Sequence, residues 1–124
     1  MTLPDVDPAR IEAEWAADKE VLASLAENGD RAEIVRLVDV SFRGDEAALD
    51  RLEEDAETLG FSFIEREETE DGELATFLGS EQTAEAAAIR ALTVKCLQIE
   101  LAYDVEYDGW GCTAEAGPGE TGKH

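Results

Sequence analysis

Carboxylates are the groups best placed to do chemistry in this chain. Glu65, Glu67, Glu68, Glu70, Asp71 and Glu73 crowd one short stretch, and hard cations such as calcium are held by several oxygens of this kind. The calcium-loop spacing D-x-D-x-D-G is missing, so the stretch reads as a solvated hairpin tip and no metal is assigned. Nucleophilic catalysis needs a nucleophile beside a base. The single histidine is His124, the last residue, and neither G-x-S-x-G nor a phosphate-cradling glycine loop occurs. No catalytic residue and no cofactor is assigned. Gly79-Ser80 is expected to open a helix, where backbone amides can hold a small anion, although the acidity of the chain opposes it. Cys96 and Cys112 lack C-x-x-C spacing and a nearby histidine, so they read as reduced thiols of a cytoplasmic protein.

A second kind of chemistry, recognition, is offered by Asp104-Val105-Glu106-Tyr107-Asp108-Gly109-Trp110-Gly111-Cys112. Acid and apolar residues alternate there, which is the period of a half-buried strand. Gly109 and Gly111 leave the backbone free to turn around Trp110. Packing of Tyr103, Tyr107 and Trp110 against the preceding helix is one reading. The sharper one makes Trp110 a partly exposed anchor ringed by Asp104, Glu106 and Asp108, since interfaces concentrate their energy in aromatic anchors with polar rims. These four residues are the candidate partner-binding set.

The charge balance narrows the partner. Asp and Glu number 31 against 10 Lys and Arg, a net charge of -21. Nucleic acids are bound by neutralising phosphates with Lys and Arg, so direct nucleic-acid binding is not expected. Anionic membrane surfaces are disfavoured for the same reason. A basic protein segment is favoured, with steered and salt-sensitive association. Met1-Thr2-Leu3-Pro4-Asp5 lacks a basic and apolar leader, and no apolar run reaches membrane length. A cytoplasmic location is expected, and a monomer rather than an oligomer.

The elements that must position these residues follow from periodicity. Pro8 to about Glu27 predicts a helix capped by Asp7, with Ile11, Trp15, Leu22, Leu25 and Ala26 on one face. Asp18 falls inside that stripe, and a tilt that lets it reach water is expected. Arg31 to Arg43 predicts a central strand, with Ile34, Val38, Val40 and Phe42 on one face interrupted by Arg36. Gly44 to Leu59 predicts a second helix ending at Gly60. Phe61 to Glu65 and Glu73 to Gly79 predict a hairpin around Asp71-Gly72. Ser80 or Thr83 is expected to cap a third helix reaching Tyr103. That helix is apolar on two sides, so one side is expected on the sheet and the other under the N-terminal helix with Trp15.

This order, a helix and then strand-helix-strand-strand-helix-strand, is that of an α+β ferredoxin-like split β-α-β sandwich with an extra N-terminal helix and an antiparallel four-stranded sheet. Right-handed crossovers place the first and third strands in the middle and the second and fourth at the edges. Residues 1–112 are expected to form a single domain, and residues 113–124 a flexible tail.

Asp104-Val105-Glu106-Tyr107-Asp108-Gly109-Trp110-Gly111 resembles the closing signature of the regulator of ribonuclease E activity B (RraB) family. Leu59-Gly60-Phe61 resembles that family's junction between second helix and second strand, and the layout matches over about residues 8–112. The resemblance implies a small acidic bacterial protein that binds ribonuclease E outside its catalytic core, inhibits RNA cleavage and alters the composition of the degradosome. It implies contact with basic, arginine-rich segments of that enzyme, and it assigns no contact role to the signature itself. The family pattern includes a longer, strongly acidic C-terminal extension, whereas this tail is short and glycine-rich. Two other readings stand beside it: an acidic adaptor with a different basic partner, and a metal-binding or enzymatic domain using the carboxylate hairpin.

Overall fold

The computed structural model describes residues 3–112. Residues 113–124, expected as a tail, lie outside the described residues. The elements run α1 (Pro8–Glu27), β1 (Arg36–Gly44), α2 (Glu46–Leu59), β2 (Ser62–Glu68), β3 (Leu74–Gln82), α3 (Ala86–Tyr103) and β4 (Glu106–Gly111). The sheet order is β2-β3-β1-β4, with every neighbour antiparallel. This is the ferredoxin-like arrangement, with β1 and β3 central as expected.

Strand alternation sorts the two faces of the sheet. Val38, Val40 and Phe42 of β1 are fully buried, whereas Leu37 beside them is 49% exposed. Val38, Val40, Phe42, Leu78, Val105 and Tyr107 join Leu49, Leu52, Ile89, Cys96, Leu97 and Ile99 of the helices in one core. Each fully buried Leu or Ile contributes about 1.5–3 kcal/mol, which outweighs the modest intrinsic propensities of these segments. The helices therefore cover one face, and among the described residues no helix covers the other, the open face.

Local signals set the helix ends. Asp45 accepts from Ala48 N at 2.7 Å at the start of α2, and Gly60 ends it at φ 94°; such a cap contributes about 1 kcal/mol. Asp7 accepts from Ala9 N at 2.9 Å at the start of α1. Helix α3 departs from expectation. Neither Ser80 nor Thr83 caps it, because β3 runs on to Gln82 and Ser80 pairs with Val38. Gly79-Ser80 is strand, so no helix-end anion site exists there. Asp104 likewise is not strand: it closes α3 in the left-handed region at φ 56°, which Asp tolerates better than most residues.

Helix α1 covers the outer side of α3, as the two-sided apolar pattern required. Arg90 lies 5.3 Å over the Trp15 ring and donates to Glu12 at 2.6 Å. Leu97, on that side, is fully buried, while Leu101 stays 56% exposed. The expectation for Asp18 is overturned. It is the one fully buried residue of α1, at 3% exposure. Thr93 Oγ1 of α3 donates to its Oδ2 at 2.5 Å, and Trp110 Nε1 of β4 donates to its Oδ1 at 2.8 Å. An unpartnered buried carboxylate is costly; two donors meeting it, each worth about 1.5–3 kcal/mol to a charged acceptor, make burial tolerable.

Arg36 resolves in the same way. Its guanidinium is buried against Asp30 and donates to the carbonyls of Ile34 at 3.0 Å and Arg31 at 2.7 Å. Burial works against its charge, but the Asp30 hydrogen bond and charge hold its pKa above the ordinary value. The residue that interrupts the apolar stripe thus clasps the α1–β1 loop to the sheet.

Asp18→Ala strands two buried donors. It is expected to cost about 2–4 kcal/mol in denaturant unfolding and to red-shift Trp110 emission. An unchanged midpoint would remove this cluster from the fold's support. Tyr103 gives a pH test. Its hydroxyl donates to Asp55 of α2 at 2.6 Å, and burial, followed by that carboxylate, pushes its pKa up to about 12. The unfolded phenol titrates near about 10, so the contribution of Tyr103 is whole below that pH and is lost as pH rises through 12. Melting temperature is expected to fall over this window, and less steeply in Tyr103→Phe. Equal slopes would refute the assignment.

Candidate functional site

The side of the sheet away from the helices carries Leu37, Asp39, Ser41 and Arg43 from β1, alternating with the buried core positions. Across the β1–β3 pair these meet Glu81, Gly79, Phe77 and Ala75 in turn. From β4, Glu106 stands opposite Arg43 and Gly109 opposite Ser41. From β2, Glu65 stands opposite Phe77 and Glu67 opposite Ala75. The face is thus a small-residue and apolar floor with carboxylates on all four strands.

Arg43 is the cation of this face. Glu73 accepts from its Nη1 at 3.2 Å, and Asp108 lies 3.4 Å from its Nε. Asp108, then Glu73 and Glu106, hold its pKa above the ordinary value against some desolvation. Partly exposed pairs of this kind contribute little to stability, but they fix where Glu106 and Asp108 sit. Five other arginines are also taken by carboxylates of the chain: Arg10 by Glu14 and Glu100, Arg31 by Glu33, Arg36 by Asp30, Arg66 by Asp50 and Glu53, and Arg90 by Glu12. With 31 acids against 10 bases, most carboxylates stay unneutralised after this pairing.

The four candidate contact residues do not converge on one point. Glu106 and Asp108 are exposed beside Arg43 on the open face. Asp104 is exposed at the α3 end of β4, and Trp110 stands at the strand's other end on the helix side. Trp110 is half-buried and packs against the core, with its N–H committed to Asp18. The carboxylates therefore do not form a ring around the indole. Between α1 and β4 lies a cleft of about 310 Å³, lined by Glu14, Asp18, Asp108 and Trp110 among others. Glu14 there is already paired to Arg10, and Asp18 is the latch described above.

The acidic hairpin also divides. Arg66 turns to Asp50 and Glu53 of α2, while Glu73 turns to Arg43. No three of His, Cys, Asp and Glu come together as a metal site among the described residues. Burial raises the pKa of the Cys96 thiol, so it is held protonated. Burial likewise raises that of Cys112, with the nearby Arg36 acting in the opposite direction. No helix is long and apolar enough to cross a membrane among the described residues.

Sequence reasoning missed two features of this region. Leu37 lies on the face of β1 opposite Val38 and Val40, and it projects from the open side of the sheet. Glu100 carries no sequence signal of a partner, but its Oε1 accepts from Tyr107 N at 2.9 Å and from Arg10 Nη2 at 3.3 Å. Only the strand order could have revealed the first, and the path of β4 beside α3 the second.

Comparison with known proteins gives a family. The family model for "Regulator of ribonuclease activity B" matches residues 15–112, a span that contains Asp18, Thr93 and Trp110. A Photobacterium profundum protein with that same description is 28% identical over 114 residues, covering 86% of this chain and 84% of its own length. With its helix-preceded sheet and its closing strand both inside the matched span, the chain belongs to the regulator of ribonuclease activity B family.

Proposed function

We propose that this protein binds ribonuclease E and inhibits or modulates its RNA cleavage, acting in the cytoplasm as a non-enzymatic monomer. The observation that carries this reading is the surplus of unneutralised carboxylate on a scaffold of the regulator family. A basic segment outside the catalytic core of the enzyme is the complementary partner, and its arginines would neutralise the exposed carboxylates. Glu106 and Asp108 contribute to this field from β4, and Asp104 from the C-terminal end of α3. Trp110, half-buried and bonded to Asp18, fixes the strand that carries Glu106 and Asp108. RNA itself is repelled by the same potential, so inhibition works through the enzyme rather than by masking the substrate.

The reading is tested with ribonuclease E from the same organism, with and without its non-catalytic region. Affinity is expected to fall by about tenfold or more as salt rises from roughly 0.05 M to roughly 0.3 M, since exposed charge pairs are screened over that range. Cleavage of a reporter RNA is expected to slow only when the non-catalytic region is present. The triple change Asp104→Asn, Glu106→Gln and Asp108→Asn is expected to weaken binding severalfold and to flatten the salt dependence. Binding indifferent to salt, or none at all, would defeat the proposal. Recovery of other basic proteins from the host in place of degradosome components would favour the adaptor reading.

A further inference from the structure

One end of the open face differs from the rest. Gly79 presents no side chain there, and Leu37 of β1 and Ile64 of β2 lie over it from either side. A Cβ at Gly79 would stand 2.7 Å from Leu37 Cδ1 and 3.2 Å from Ile64 Cδ1. The two side chains therefore form one apolar patch across three strands, yet they remain 49% and 40% exposed. A single exposed Leu means little. A shared patch inside a carboxylate rim has the anatomy of an interface. Glu81 stands opposite Leu37 and Asp39 opposite Gly79, while Glu65 and Glu67 follow Ile64 along β2. The Glu65 carboxylate, by hydrogen bond and by charge, raises the pKa of Glu67. The two acids thus crowd each other, and a cation between them would relieve it.

The geometry points to Leu37 and Ile64 over Gly79, with Glu65 and Glu67 alongside, as the docking surface for a basic polypeptide segment. One apolar side chain of that segment seats on Leu37 and Ile64, and its lysine or arginine meets the two glutamates. This rests on the reading that the protein captures a basic protein partner, and it adds where the capture occurs. Charge decides among occupants. A second copy would set these carboxylates against their own duplicates. A nucleic acid would bring phosphate to them. A purely apolar segment would desolvate them without a partner.

Full-length protein is titrated with ribonuclease E and, separately, with a synthetic peptide of alternating arginine and leucine. The variants are Leu37→Ser/Ile64→Ser and Glu65→Gln/Glu67→Gln. The control is Glu54→Gln/Glu57→Gln, the same charge change on exposed positions of α2. All substituted side chains are exposed, so melting temperatures are expected to stay near wild type. Each face variant is expected to weaken binding by about tenfold, the scale of losing one interface anchor, and the control by less than about twofold. Equal losses in face and control variants would overturn the docking surface. So would self-association that Leu37→Ser/Ile64→Ser abolishes, or the absence of binding to both probes. If ribonuclease E binds the face variants as tightly as wild type, the surface falls and the proposed function stands. If only the peptide binds, and through this face, the surface stands and the proposed partner falls.

Discussion

The carboxylate of Asp18 is the constraint around which this molecule is arranged. It has been removed from water, and it is held there by a hydroxyl from α3 and an indole N–H from β4. Three elements distant in sequence meet at its two oxygens. A weaker arrangement of the same kind stands close by. Glu100 of α3 takes the backbone N–H of Tyr107 and the guanidinium of Arg10. Together the two acids tie α1 to α3 and α3 to the closing strand. Apolar packing alone would let α1 slide along α3, because its stripe of Ile11, Trp15 and Leu22 is only half-buried. Directional bonds to a buried charge fix position in a way that burial of area cannot.

Fixing α1 there has a consequence for where a partner can act. The helix side of the sheet is filled by α2 and α3, and α1 occupies the outer side of α3. Trp110, the most conspicuous aromatic in the chain, is drawn into that internal network. On the other side of the sheet the carboxylates are exposed, and among the described residues Arg43 answers Glu73 and Asp108. The two edges of the sheet differ as well. The outer edge of β4 is partly stopped by the Glu100 side chain at Tyr107. On the opposite edge β2 is exposed along nearly its whole length, and it carries Glu65, Glu67 and Glu68.

Most of the fold was legible because its elements differ in period. The 3.6-residue stripes of α1, α2 and α3 and the alternation of Val38, Val40 and Phe42 each point to one kind of structure. With the order of elements known, handedness settles the strand order. Boundaries were less legible where a polar residue had two uses. Ser80 resembles a helix cap, but it belongs to a strand whose partner, Val38, lies far away in sequence. Asp18 and Arg36 look like interruptions of apolar stripes. Nothing local reveals that Thr93, Trp110 or Asp30 will be there to satisfy them, since each meeting is a product of the fold. The site was legible only in part for the same reason. The acids of the closing segment were visible, but whether they surround the indole depends on a strand geometry that sends Asp108 to Arg43 and Trp110 to Asp18.

On the proposed docking, the acids along β2 would take two physical roles that do not compete. An exposed edge strand is a template for pairing with another chain, and charge is a common guard against it. Carboxylates repel a copy of this protein, which brings the same sign to the same place. They do not repel a chain rich in arginine, for which the edge and the adjoining face are the most negative approach available. One set of side chains can thus forbid self-assembly and permit a specific kind of partner, because the discrimination lies in the sign of the charge and not in the shape of the strand. An apolar spot such as Leu37 and Ile64 can then stay exposed at little risk. The same charge would keep that spot from its own duplicate and would admit a partner that first satisfies it.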